Sequence, residues 1–128
     1  MSNQNHPTHV LLVDDDPFVR DVLARMLEAL GCTVATARDG RAALDQVDDE
    51  SWDLVLLDMC MPVLDGLGVY RELAKSRPAL VSRVVICTGG TTDPTVQRFL
   101  DGDVPVLHKP VRLAQLRHLL TRAARCAA

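Results

Sequence analysis

Five side chains in this sequence have the types and the placement to do chemistry together. Asp14 and Asp15 follow the apolar run Val10-Leu11-Leu12-Val13, and Asp58 follows Leu54-Val55-Leu56-Leu57. Thr88 follows Val84-Val85-Ile86-Cys87, and Lys109 stands just beyond a run that ends at Leu107. Three carboxylates brought close together repel one another, so a proton or a cation must compensate them. A hard, oxygen-seeking ion such as Mg²⁺ suits a site with few carboxylates and several waters. Such an ion bridges a carboxylate and a phosphate oxygen, while the Thr88 hydroxyl and the Lys109 ammonium can meet two further phosphate oxygens. Phosphoryl transfer asks little more of a protein than this positioning and charge neutralisation, and aspartate is a known covalent acceptor.

The elements that must position these groups are legible in the hydrophobic pattern. Short apolar runs at 10–13, 33–37, 54–57, 84–87 and 104–107 read as strands, the continuous ones covered on both faces. Helical patterns alternate with them. Asp16 reads as an N-cap and Pro17 as the first helical residue. An apolar stripe of Phe18, Val22, Met26 and Leu30 follows, with Leu23 and Leu27 beside it, and Gly31 ends it. A second helix opens at Asp39-Gly40 and carries Ala43, Leu44 and Val47. A third follows Asp65-Gly66 with Leu67, Tyr70 and Leu73, and a fourth spans about 94–100. The fifth presents Leu113, Leu116 and Leu120, with Arg122 and Arg125 near its C-terminus, where the dipole favours cations. Strands alternating with helices argue a parallel sheet wrapped on both faces, joined by right-handed crossovers. In such a sheet the five side chains share the carboxyl edge, where ligands bind. Neighbouring first and third strands, as in the order 2-1-3-4-5, bring the carboxylates together.

Composition excludes several alternatives. With 128 residues the chain has room for one domain and not two, and a domain of that size needs no covalent staple. Hydrophobic residues at 48 % and charged residues at 24 % are globular proportions, and no apolar run approaches the roughly 20 residues that cross a bilayer. The polar start lacks the apolar segment of a secretory signal. Residues 1–8 read as a flexible lead, 9–125 as the folded domain and 126–128 as a tail. No stretch reads as a second, output domain. A net charge of −3 lends no support to a nucleic-acid surface. Cys32, Cys60, Cys87 and Cys126 are scattered without a CxxC pair, which argues against zinc. Reduced thiols in the cytoplasm are the simple reading.

Taken in order, Val13-Asp14-Asp15-Asp16, Leu57-Asp58-Met59-Cys60-Met61-Pro62 through Asp65-Gly66, Thr88-Gly89 and Lys109-Pro110 resemble the signature set of response-regulator receiver domains. The resemblance covers about 8–124. It implies a flavodoxin-like (βα)5 three-layer α/β sandwich with a five-stranded parallel sheet in the order 2-1-3-4-5, the order for which receivers are standard examples. It implies Asp58 as the phosphoacceptor in two-component signalling, fed by a histidine kinase or histidine phosphotransfer protein. Asp15 would ligate Mg²⁺ directly and Asp14 partly through water, with the Asp58 carboxylate and the backbone carbonyl of Cys60 as further ligands. Thr88 and Lys109 would hold phosphoryl oxygens, and Lys109-Pro110 would be a cis peptide. The output partner would meet the face of the fourth helix, fifth strand and fifth helix. No direct nucleic-acid or membrane contact is implied, and no enzyme activity beyond Mg²⁺-dependent self-phosphorylation and dephosphorylation.

The sequence departs from the family at one switch position. Many receivers carry Tyr or Phe three residues before the site lysine, and here that residue is Val106. The stretches 88–90 and 104–106 look more like receivers of hybrid histidine kinases than of transcription factors. Cys60 and Gly90 flank the phosphoryl position and would tune its lifetime. Two alternative functions stay open: a protein-binding module that is never phosphorylated, and an aspartyl-phosphate hydrolase. Hydrolases usually carry a second acid two residues after the nucleophile, where this chain has Cys60. Cys32, Cys87, Trp52 and Phe99 read as packing residues. His108 points away from Lys109 by strand alternation, and His6 and His9 are given no role.

Overall fold

A strand covered on both faces must be apolar where it is covered, and three strands of this protein meet that condition in all but one terminal residue each. The structure, a computed structural model, describes residues 8–47, 51–61 and 64–127. Residues 1–7 of the lead, Pro62 of the loop motif and Ala128 lie outside the described residues, as do the side chains of Arg125 and Cys126. The strands are β1 (His9–Val13), β2 (Thr33–Ala37), β3 (Leu54–Asp58), β4 (Val84–Thr88) and β5 (Val106–His108). They form one parallel sheet in the order β2-β1-β3-β4-β5. Alternation sends Leu11, Val13, Val55, Leu57, Val84 and Ile86 to one face. Val10, Leu12, Leu54, Leu56, Val85 and Cys87 go to the other.

Helices cover both faces. Here α1 (Pro17–Ala29) and α6 (Leu113–Ala127) close one core through Leu23, Leu27 and Leu116. The other core takes in α2 (Gly40–Val47), α3 (Gly66–Ser76), α4 (Pro78–Val81) and α5 (Pro94–Leu100). Three of the helix starts are set by the following side-chain caps. Asp16 accepts from the N–H groups of Phe18 and Val19 with Pro17 at the first turn, Asp65 accepts from Gly68, and Asp93 from Thr95. Gly31 ends α1 at φ 93°, a conformation glycine adopts without a Cβ penalty.

Three expectations need correction. Only part of the apolar stripe on α1 meets the sheet: Leu23 and Leu27 are buried and Met26 and Leu30 pack half-buried against the same core, while Phe18 is 75 % exposed and Val22 39 %. A four-residue spacing drifts round a 3.6-residue helix, so the first half of the row turns away from the sheet. The strand expected at 104–107 begins at Val106. Pro105 has no N–H to give the ladder, and its carbonyl accepts the Ile86 N–H at 2.9 Å. The four-residue α4 is an addition, too short to show a period. The fourth and fifth helices of the sequence reading are therefore α5 and α6. Cys87 is buried, whereas Cys32 is only half-buried. Trp52 is buried and stacks on His9 with centroids 4.2 Å apart, a contact the sequence did not suggest.

Candidate functional site

The parallel register places the sequence-derived groups on one edge. β3 ends with Asp58 opposite Cys87 of β4, and Thr88 ends β4 opposite His108. Oxygens of Asp14, Asp15 and Asp58 lie within 4.8 Å of one another. Asp14 is 1 % exposed and Asp58 5 %, and Asp15 is exposed. Lys109 reaches in from the loop after β5, and its Nζ donates to Asp14 Oδ2 at 2.9 Å and to Asp58 Oδ1 at 3.1 Å. The Lys109-Pro110 peptide is cis.

Asp14 is fixed at four atoms. Its N–H donates to the Ala37 carbonyl at 3.1 Å, and its own carbonyl accepts from Arg20 Nη1 at 2.8 Å. Oδ1 accepts the Asp16 N–H at 2.9 Å, and Oδ2 takes Lys109. Both carboxylate oxygens are thus engaged, whereas the Asp15 side chain faces the cleft. Arg20, six residues along on α1, escaped the sequence reading, because a base after an acidic pair is an ordinary helix residue. Thr88 is buried, and its Oγ1 accepts the Gly90 N–H at 3.0 Å, which leaves the hydroxyl proton free to donate elsewhere. Cys60 is exposed and lines a cleft of about 470 Å³ with Asp15, Asp65, Thr91 and Asp93. His108 is exposed on the outside.

The electrostatics follow from burial and crowding. Burial, then the Asp14 carboxylate, pushes Asp58 up from 3.8 to about 6, against the opposing pull of Lys109. Burial alone would lower Lys109, but its hydrogen bonds and charge contacts with Asp14 and Asp58 outweigh that and raise it. Burial pushes the Cys87 thiol to about 12. A hard divalent cation fits this donor set. The carboxylates are close and oxygen-rich, Asp15 points at water, and the cluster's repulsion is only partly met by one ammonium.

The model of the response regulator receiver domain matches residues 10–121, nearly the whole chain. The chain belongs to the receiver family. Among curated relatives, a protein-glutamate methylesterase/protein-glutamine glutaminase of Myxococcus xanthus is 43 % identical over 87 % of this chain and 32 % of its own length. Response regulator MprA of Mycolicibacterium vanbaalenii is 38 % identical over 91 % of this chain and 52 % of its own. The chain thus spans about a third of the first methylesterase relative. Among solved structures, the receiver domain of a sensor histidine kinase from Pseudomonas aeruginosa, with a magnesium ion in its active-site cleft, has a TM-score of 0.80 at 28 % identity. It aligns over 91 % of this chain and 96 % of its own. Kinase receivers, methylesterases and response regulators all appear among the matches, so the likeness of 88–90 and 104–106 to hybrid-kinase receivers is not singled out by them.

Proposed function

We propose that this receiver accepts a phosphoryl group on Asp58 from the phosphohistidine of a histidine kinase or histidine phosphotransfer protein, in a cytoplasmic two-component pathway. The observation that supports it most is the convergence of buried Asp14 and Asp58 with exposed Asp15 under the Lys109 ammonium. An Asp58 oxygen bonds to phosphorus as the phosphorus–nitrogen bond breaks, and the leaving imidazole takes up a proton. Lys109 is placed to hold a phosphoryl oxygen, and the buried Thr88 hydroxyl to donate to another. Bound Mg²⁺ would neutralise phosphoryl charge, held by Asp15, Asp58 and the Cys60 carbonyl, with Asp14 partly through water. Water later attacks the phosphorus as the acyl P–O bond breaks, releasing inorganic phosphate and returning the Asp58 carboxylate. The added phosphate, close to two negative charges, shifts an existing equilibrium toward the state that binds an output partner, which we place at the α5–β5–α6 face. The receiver unit is taken as 9–125.

The test is intact mass after incubation with acetyl phosphate and Mg²⁺. The expected result is a gain of one phosphoryl group that is absent with chelator and absent in Asp58→Asn. An equal gain in that variant would move the acceptor elsewhere. No gain in the wild type, together with no beryllofluoride binding, would leave a module that is never phosphorylated.

A further inference from the structure

The two sides of α5 meet different surroundings. Its cap Asp93, with Thr91 and Val96, lines the acceptor cleft beside Asp15 and Cys60. Thr95, Arg98 and Phe99 instead line a groove of about 690 Å³ against α3. The floor of this groove is apolar: Phe99 packs edge-on against Tyr70 with centroids 4.9 Å apart, next to Leu67 and Ala74. Its rim is cationic. Arg71, Lys75 and Arg98 are exposed, no carboxylate lines the groove, and none of the three has an ion pair among the described residues. The cavity on the other side of the ring pair includes both Arg98 and Asp103, so its charge is balanced within itself.

Three cations with no carboxylate in the groove itself, over an apolar floor and in a chain of net charge −3, select an occupant that is both acidic and apolar. A nucleic acid is a long polyanion and would extend onto the acidic cleft on the other side of α5, an obstacle that a short protein segment does not meet. We propose that the α3–α5 groove docks a partner segment carrying large apolar side chains beside carboxylates, seated on Tyr70 and Phe99 and paired with Arg71, Lys75 and Arg98. The groove shares α5 with the acceptor cleft, as an output surface requires. It adjoins the α5–β5–α6 face through α5 and takes its other wall from α3.

Selection of a displayed library of random peptides on the full chain tests this. The expected result is enrichment of peptides that pair Leu, Ile or Phe with Asp or Glu. They should bind the wild type about ten-fold or more tighter than R71E/K75E/R98E, a change of roughly 1.4 kcal/mol, and weaken as salt rises. No enrichment, enrichment of neutral or basic peptides, or equal binding to the charge-reversed chain would overturn the proposal. So would binding of duplex DNA or phosphatidylserine vesicles that depends on the same three cations. The exposed positions should tolerate the changes, and a melting curve checks this, with Arg98→Gln as the milder variant. Phosphoryl uptake from acetyl phosphate should persist in R71E/K75E/R98E, so failed docking and a failed acceptor site read out separately.

Discussion

Asp58 is a carboxylate kept where a carboxylate is costly. Its value of about 6, against 3.8 for the free group, means that between those pH values the folded chain holds a proton the unfolded chain has released. In chelator, the stability this group contributes is therefore fully present below about pH 4 and lost as pH rises through 6. Asp58→Asn should remove that dependence, and at pH 7 should stabilise the metal-free protein by on the order of 1 kcal/mol. Solvent in the open cleft screens the group and keeps the effect this small. Melting temperatures of both proteins across pH 4 to 8 check it, and an equal or lower value for the variant at pH 7 counts against the convergence. The thiols offer a second contrast. Cys87 is buried with its thiol pushed to about 12, while Cys60 stands exposed at the cleft. Iodoacetamide should modify Cys60 in the native protein and Cys87 only after denaturation, as peptide mapping would show. Asp14, Asp15, Asp58, Thr88 and Lys109 could be picked out in the sequence because each interrupts or follows an apolar run. Arg20 and His9 could not, since their roles depend on partners brought up by the fold.

At the level of elements, Asp58, the proposed acceptor, is held by the start of α3. Gly66 opens that helix, its N–H donates to the Met59 carbonyl at 3.0 Å, and a Cβ there would sit 2.5 Å from the Asp58 carbonyl oxygen and 2.8 Å from Met59 Cα. Backbone cannot give way as a flexible side chain can. Gly66→Ala should cost about 1–3 kcal/mol through overpacking and displace the Asp58 main chain. Chemical denaturation measures the first effect and slower uptake from acetyl phosphate the second. An unchanged midpoint would mean that α3 does not clamp the acceptor. The same Asp-Gly pair announced the helix in the sequence, as Asp16-Pro17 announced α1, because caps are local chemistry. The face each helix buries was less legible. Apolar residues on α1 exceed what one face of the sheet covers, and only packing decides that Leu23 and Leu27 go in while Phe18 stays out.

Across the whole molecule, two cores meet at one sheet whose carboxyl edge carries the cluster, so the repulsion stored there is drawn from the stability of both. A cation bound only by the folded state adds stability by mass action, about 1.4 kcal/mol at ten times its dissociation constant. Mg²⁺ should therefore raise the melting temperature of the wild type. Asp15→Asn should lose most of that rise, and Arg98→Gln, in the α3–α5 groove, should keep it. The metal and the Asp58→Asn change relieve the same repulsion, and perturbations that share a cluster do not add. The variant's advantage in chelator should thus shrink or reverse once Mg²⁺ is present, because the wild type gains a compensated carboxylate and the variant has lost a ligand. Calorimetric scans of the four combinations give the coupling directly. If Asp58→Asn stabilises by the same amount with and without Mg²⁺, the ion is not held by the carboxylates at the ends of β1 and β3, and the assignment of that edge as the acceptor site falls with it.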